Sequence, residues 1–168
     1  MRTLVSILVF GITFLTYSQE NQNQTSVLEL DDVLVSANAA YLNNVQDENT
    51  PATVKQLQQE VVTYNVRDNK DFDATSDEPY EMIFKNASGM INAFYDSSGQ
   101  VVATYEKFKD ILLPNEIRDR VFRENSLWKM IGNQYRSTYS DNNLIKRTFK
   151  IQLQNGDHKK DIVINLIP

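Results

Sequence analysis

The chain has 168 residues, no cysteine, and 22 acidic against 17 basic side chains, a formal charge of −5. The acidic balance argues against nucleic acid as a partner. The missing cysteines exclude a disulfide framework and a lipid-anchored leader.

Met1 to Ser18 reads as a secretory signal. Arg2 is the positive start, Leu4 to Leu15 the apolar core, and Thr16-Tyr17-Ser18 a small-residue cleavage step; a cut after Gln19 fits as well. The apolar run is shorter than the ~20 residues of a spanning helix. The expectation is therefore a periplasmic or secreted protein without stable membrane insertion once the signal is removed. A mature chain of about 150 residues is one domain by length and can bury ~70% of its unfolded surface without covalent staples.

Residues 19–26 are polar and rich in Asn and Gln, which suits a flexible mature terminus. Val27 to Ser36 is β-prone but interrupted by Asp31-Asp32, a pattern suited to a protected edge strand. The sequence leaves Ala37 to Val45 open between strand and helix. Thr50-Pro51 predicts a helix start, with Thr50 as N-cap and Pro51 at the first helical position. Val54, Leu57, Val61 and Tyr64 then mark the inward face of a helix over 51–64. Asn65 to Glu78 reads as an acidic loop.

Tyr80 to Phe108 predicts three short strands. Tyr80, Met82 and Phe84 alternate with Glu81 and Lys85, as a half-buried strand requires. The inward side of 90–95 is ambiguous. The turns Ala87-Ser88-Gly89 and Asp96-Ser97-Ser98-Gly99 are too short for parallel crossovers, so the strands should be antiparallel. Leu112-Leu113-Pro114 leads into a helix over 114–124, with Pro114 at the first helical position, Leu112 stapled on Ile117, and Ile117 and Val121 inward. Arg118, Arg120 and Arg123 read as solvated helix charges.

Leu127 to Ser140 predicts a strand bent at Gly132. Asp141-Asn142-Asn143 turns the chain into a run where Ile145, Arg147, Phe149, Ile151 and Leu153 alternate with polar residues. Arg147 is the anomaly on that apolar face. Asn155-Gly156 is a hairpin signal, and His158 to Ile167 closes the chain with Ile162, Ile164 and Leu166 on one face. The element order is β, α, βββ, α, βββ, and FKIQLQNG partly echoes YEMIFKNASG.

These residues carry a family resemblance. YEMIFKNASGMINAFYDSSGQVVATYEKFKDILLPNEIRDRVF, followed by Trp128 and the FKIQLQNG hairpin, resembles the PepSY-like, beta-lactamase-inhibitor-like periplasmic proteins of Bacteroidetes. The most telling pieces are Tyr95-Asp96-x-x-Gly99, Glu106-Lys107-Phe108-Lys109 and Leu113-Pro114. The family's Pro-x-Trp step is here Asn125-Ser126-Leu127-Trp128, and its further turn after the last strand is not seen before Pro168, so one sheet edge is expected to be shorter. The resemblance spans residues 27–168. It implies an α+β domain, an antiparallel sheet with two helices packed on one face and a helix–βββ unit repeated twice, the other face being partly open. It transfers architecture and no catalytic motif.

His158 is the only histidine, which removes paired-histidine zinc motifs. No phosphate-binding glycine loop or Gly-x-Ser-x-Gly step is present. Asp68, Asp71, Asp73, Asp77 and Glu78 lack the glycine of a calcium loop, so a solvated loop is expected. No catalytic residue, cofactor or metal is assigned. Charge is uneven: residues 20–100 hold 14 acids and 4 bases, and 101–168 hold 8 acids and 12 bases. The favoured reading is that the halves attract each other within one domain, and the alternative is an anionic partner.

The expected function is a non-enzymatic exported binding module that docks an envelope protein or peptide on the open sheet face. Tyr105, Tyr135, Tyr139, Lys146 and Lys150 are the candidate contact residues, since aromatics on such a face anchor partners; core packing is the competing role for the tyrosines. The alternatives are a small periplasmic hydrolase or transferase using Asp/Glu or Ser, or a regulator of an envelope protease or hydrolase.

Overall fold

The structure is a computed structural model and describes residues 38–166. The expected signal at 1–18, the expected flexible terminus at 19–26 and the expected strand at 27–36 lie outside the described residues.

Among the described residues six strands form one antiparallel sheet in chain order: β1 Tyr80–Lys85, β2 Gly89–Tyr95, β3 Val101–Lys109, β4 Lys129–Ser140, β5 Asn143–Asn155 and β6 His158–Leu166. Helix α1 covers residues 38–45; α2 is Ala52–Thr63 and α3 is Asn115–Glu124. The fold class is therefore α+β, as expected, with one helix more than the two the sequence predicts. Alpha1 shows that 38–45, the described part of the stretch left open between strand and helix, is helical. Its Tyr41 and Val45 are buried, so what settles its conformation is a docking surface elsewhere in the chain.

The helices supply one buried layer. Val54, Leu57 and Val61 of α2 and Ile117 and Val121 of α3 join a single core with Ile91, Phe108, Phe149, Ile151 and Leu153 of the sheet. Burying a large aliphatic side chain contributes roughly 1.5–3 kcal/mol, so this shared face dominates the stability. The runs 80–85 and 143–155 belong to the same sheet.

Turn chemistry sets the sheet register. Asn86 Oδ1 accepts from the backbone N–H of Ser88 and Gly89, 2.9 and 3.0 Å. Gly89 is required by space: a Cβ there would sit 2.3 Å from the Lys107 carbonyl oxygen. Asp141 and Asn142 both adopt positive φ, 52° and 60°, which is the two-residue type I′ hairpin geometry. In the β5–β6 hairpin Asn155 pairs with His158. The central residues are thus Gly156 and Asp157, and Gly156 alone has positive φ. Glycine at the first central position suits a type II′ turn.

Several local expectations change. Pro51 and Pro114 are the N-caps, not the first helical residues. Both hold extended ψ, and the Pro51 carbonyl accepts from Val54 and Lys55 at 3.0 Å. Thr50 is instead tied into the α1–α2 link, its Oγ accepting from Asp47 N–H at 3.1 Å. Leu112 is 77% exposed and staples nothing; Leu113 is the buried residue. The acidic loop contains a short 3-10 turn, Val66–Asp68, anchored by buried Val66. In β2 the inward side is Ile91, Ala93 and Tyr95. In β5 the register shifts opposite Thr138 and Tyr139. Leu144 therefore pairs with inward Tyr139, and Ile145 is exposed rather than inward.

Candidate functional site

Strand parity sorts the chemistry onto two faces. On the covered face, Glu106 of β3 pairs with Ser137 of β4, which pairs with Arg147 of β5. All three are buried. Glu106 Oε1 accepts from Tyr41 OH of α1 at 3.0 Å and from Gln58 Nε2 of α2 at 2.8 Å. Arg147 bonds Asp47 Oδ2 at 2.6 Å and also donates to the Val45 carbonyl. Both charges thus hold elements of the helical layer.

The electrostatics follow from burial. Desolvation raises the Glu106 carboxyl above its ordinary range, against the bonds from Gln58 and Tyr41 and the charge of Arg147. For Asp47, partial burial opposes ionisation, but the bond and charge of Arg147 outweigh it and hold the carboxyl below its ordinary range. Burial pushes the Tyr135 and Tyr41 phenols well up, helped by the nearby Glu106 charge. The cluster lies beneath α1 and α2 and joins the layers; Glu106, Ser137 and Arg147 are buried, and Asp47 is its half-exposed member.

The opposite face carries the exposed chemistry, and no described helix covers it. Across β1 to β3 it shows Ile83, Met90 and Tyr105 exposed. Tyr105 stacks edge-on against Phe94, ring centroids 5.8 Å apart. Across β4 to β6 it forms a groove of about 480 Å³ lined by Gln134, Arg136, Thr138, Lys146, Thr148, Lys150, Val163 and Asn165. Lys85, Lys107 and Lys109 point to the same side by parity.

Acids on this face are few. Among the strand residues of that parity they are Glu81 and Asp161. Glu81 accepts from Asn92 at 2.9 Å, and Asp161 pairs with Lys150 at 2.8 Å. Arg136, Lys146, Lys107 and Lys109 have no carboxylate within ion-pair distance among the described residues. The two halves of the chain, expected to attract each other, make little direct charge contact among the described residues. Among the described residues one ion pair joins them, Asp47 with Arg147. The basic surplus of the second half is displayed on the open face, because residues two apart on a strand share a side.

Tyr105, Lys146 and Lys150 lie on this face, and Lys146 and Lys150 line the groove. Tyr135 and Tyr139 do not join them. They are 0% and 1% exposed, on the covered face. Tyr135 packs edge-on with Phe108 and Phe149, and Tyr139 packs edge-on with Tyr41. Their odd parity, shared with Ser137, sends them inward, so neither offers surface to a partner on the open side. Sequence reasoning missed Arg136, which the alternation Gln134, Arg136, Thr138 against Tyr135, Ser137, Tyr139 could have revealed.

Other candidates are spread apart. Among the described residues no three His, Cys, Asp or Glu side chains converge as a metal set. Asp73 is engaged by Thr75 of its own loop, at 2.7 and 2.8 Å. His158 is exposed at the start of β6. No described helix is long and apolar enough to cross a membrane. Comparison with protein-family models, with curated proteins and with solved structures returns no match for this chain.

Proposed function

We propose that the protein is a non-enzymatic exported binding module that docks an envelope protein or peptide on its open sheet face. The observation that carries this reading is the composition of that face: exposed Ile83, Met90 and Tyr105 beside Arg136 and Lys146, which have no ion-pair partner among the described residues, on a chain of net charge −5. Aromatic and Arg side chains are the usual anchors of protein interfaces. A basic, partly apolar patch on an acidic protein favours a short acidic polypeptide segment over a long polyanion, which the remaining surface would repel. Restraint of an envelope hydrolase is one form such docking would take. The same reading takes the domain as PepSY-like, built from a doubled helix–βββ unit. The order α2, β1 to β3, α3, β4 to β6 supports this.

The test is capture from a cell-envelope extract with three immobilised proteins: wild type, Tyr105→Asp, and Asp119→Asn on the exposed side of α3. A specific partner should be retained by wild type and Asp119→Asn and lost by Tyr105→Asp. Equal retention by all three would remove the open face from the docking role.

A further inference from the structure

We infer that the open face recognises an extended acidic segment through two subsites: a carboxylate anchor at Arg136 and Lys146, and an apolar anchor at Tyr105 and Phe94. This rests on the docking reading above and adds the chemistry and spacing of the partner.

The anchor follows from register. Arg136 is directly across from Thr148, and Lys146 is directly across from Thr138. The two cations are therefore diagonal neighbours, ~7–8 Å apart at Cα, with a threonine hydroxyl beside each. Lys150, the next base on this face of β5, is already paired with Asp161. Arg136 and Lys146 have no such partner among the described residues. A carboxylate seated between them relieves their mutual repulsion and accepts bonds from a guanidinium fork, the geometry that suits Arg to carboxylates.

The apolar subsite lies in the same row. Tyr105 pairs with Thr138, and Thr138 pairs with Lys146. Two strand spacings, ~10 Å, separate Tyr105 from Lys146. An extended chain rises ~3.3 Å per residue, so side chains two and four positions apart on one side stand ~7 and ~13 Å apart and bracket that span. The segment recognised thus carries an apolar residue with an acidic residue two or four positions away on the same side. A featureless polyanion would leave the Tyr105–Phe94 pair without a role.

The probe is a fluorescein-labelled peptide with the unit Ser-Leu-Ser-Glu three times over, read by anisotropy against the full mature chain. A second peptide carries Gln for Glu, and a third arm uses a double-stranded oligonucleotide. The Glu peptide should bind and weaken with added salt, as exposed charge contacts do. The Gln peptide should bind about tenfold more weakly, as should the Glu peptide to Arg136→Gln/Lys146→Gln or to Tyr105→Ser, since each removes an anchor. These are surface changes, and an unchanged thermal transition certifies each fold.

Equal binding of the Glu and Gln peptides overturns the carboxylate anchor while leaving docking intact. No binding of the Glu peptide at millimolar concentration overturns the two-subsite inference. Tight oligonucleotide binding that Tyr105→Ser leaves unchanged assigns the cations to another polyanion and overturns it too. Self-association abolished by Arg136→Glu gives the face to a second copy, with the same consequence. Failure of the docking reading itself appears separately, as a captured envelope partner indifferent to Tyr105→Asp.

Discussion

Glu106 and Arg147 face the same way from β3 and β5, with Ser137 of β4 directly between them in the cross-strand row. One receives Tyr41 and Gln58 and the other holds Asp47, so this buried row fastens α1, α2 and the link between them to the sheet. Arg147 is buried and Asp47 half-exposed. Removing the Asp47 charge leaves the Arg147 guanidinium desolvated and without its carboxylate, and breaking a buried pair in this way costs about 3–5 kcal/mol. Asp47→Asn should lower stability by about that amount in urea unfolding followed by the fluorescence of Trp128, the single tryptophan. Arg147→Met, which keeps much of the packing and leaves only the half-exposed carboxylate, should cost less. A loss of about 1 kcal/mol or less for Asp47→Asn, the range of surface pairs, would mean that the pair does not fasten the layers as described.

The same row predicts a pH signature. Asp47 is held below its ordinary value, so its contribution is present above that value and is lost as pH falls through the lowered one. Glu106 is raised by burial, so its ionised form penalises the fold. As pH falls from neutral through its raised value, the folded state gains on that account. The stability difference, wild type minus Glu106→Gln, should therefore grow on acidification, and wild type minus Asp47→Asn should shrink at lower pH still. Unfolding midpoints across pH check both signs. A Glu106 difference that shrinks on acidification would place that carboxylate in a stabilising role instead.

Gly89 tests the register of β2 on β3. Its added Cβ would stand 2.3 Å from Lys107 O and 2.7 Å from Phe108 Cα, both backbone atoms. Backbone does not yield as a flexible side chain does. Gly89→Ala should destabilise by about 1–3 kcal/mol, the usual cost of overpacking. A neutral result in thermal unfolding would indicate that β2 and β3 pair differently.

Leu57 and Leu112 form a matched contrast. Leu57 is 1% exposed and Leu112 is 77% exposed. Leu57→Ala should cost about 2–5 kcal/mol through lost burial and a residual cavity. Leu112→Ala should stay within about 0.5 kcal/mol, the range of surface changes. Comparable losses by denaturant titration would restore the staple that the fold removes.

Much of the architecture was readable along the chain. The alternation in β1 and, from Arg147 onward, in β5, the inward faces of α2 and α3, and the turns at Ala87–Ser88, Asp96 and Asp141 depend on neighbours within a few residues, and sequence lists those neighbours directly. The tertiary structure decided what depends on distant contacts. Alpha1 forms where Tyr41 meets Glu106, 65 residues away. Arg147 occupies an apolar face because Asp47, 100 residues earlier, reaches it. Tyr135 and Tyr139 go inward while Tyr105 goes outward, since parity is fixed only once strands are paired and one face is buried. The basic open face likewise exists only when six strands are laid in register, because no single strand holds enough of it to be read alone.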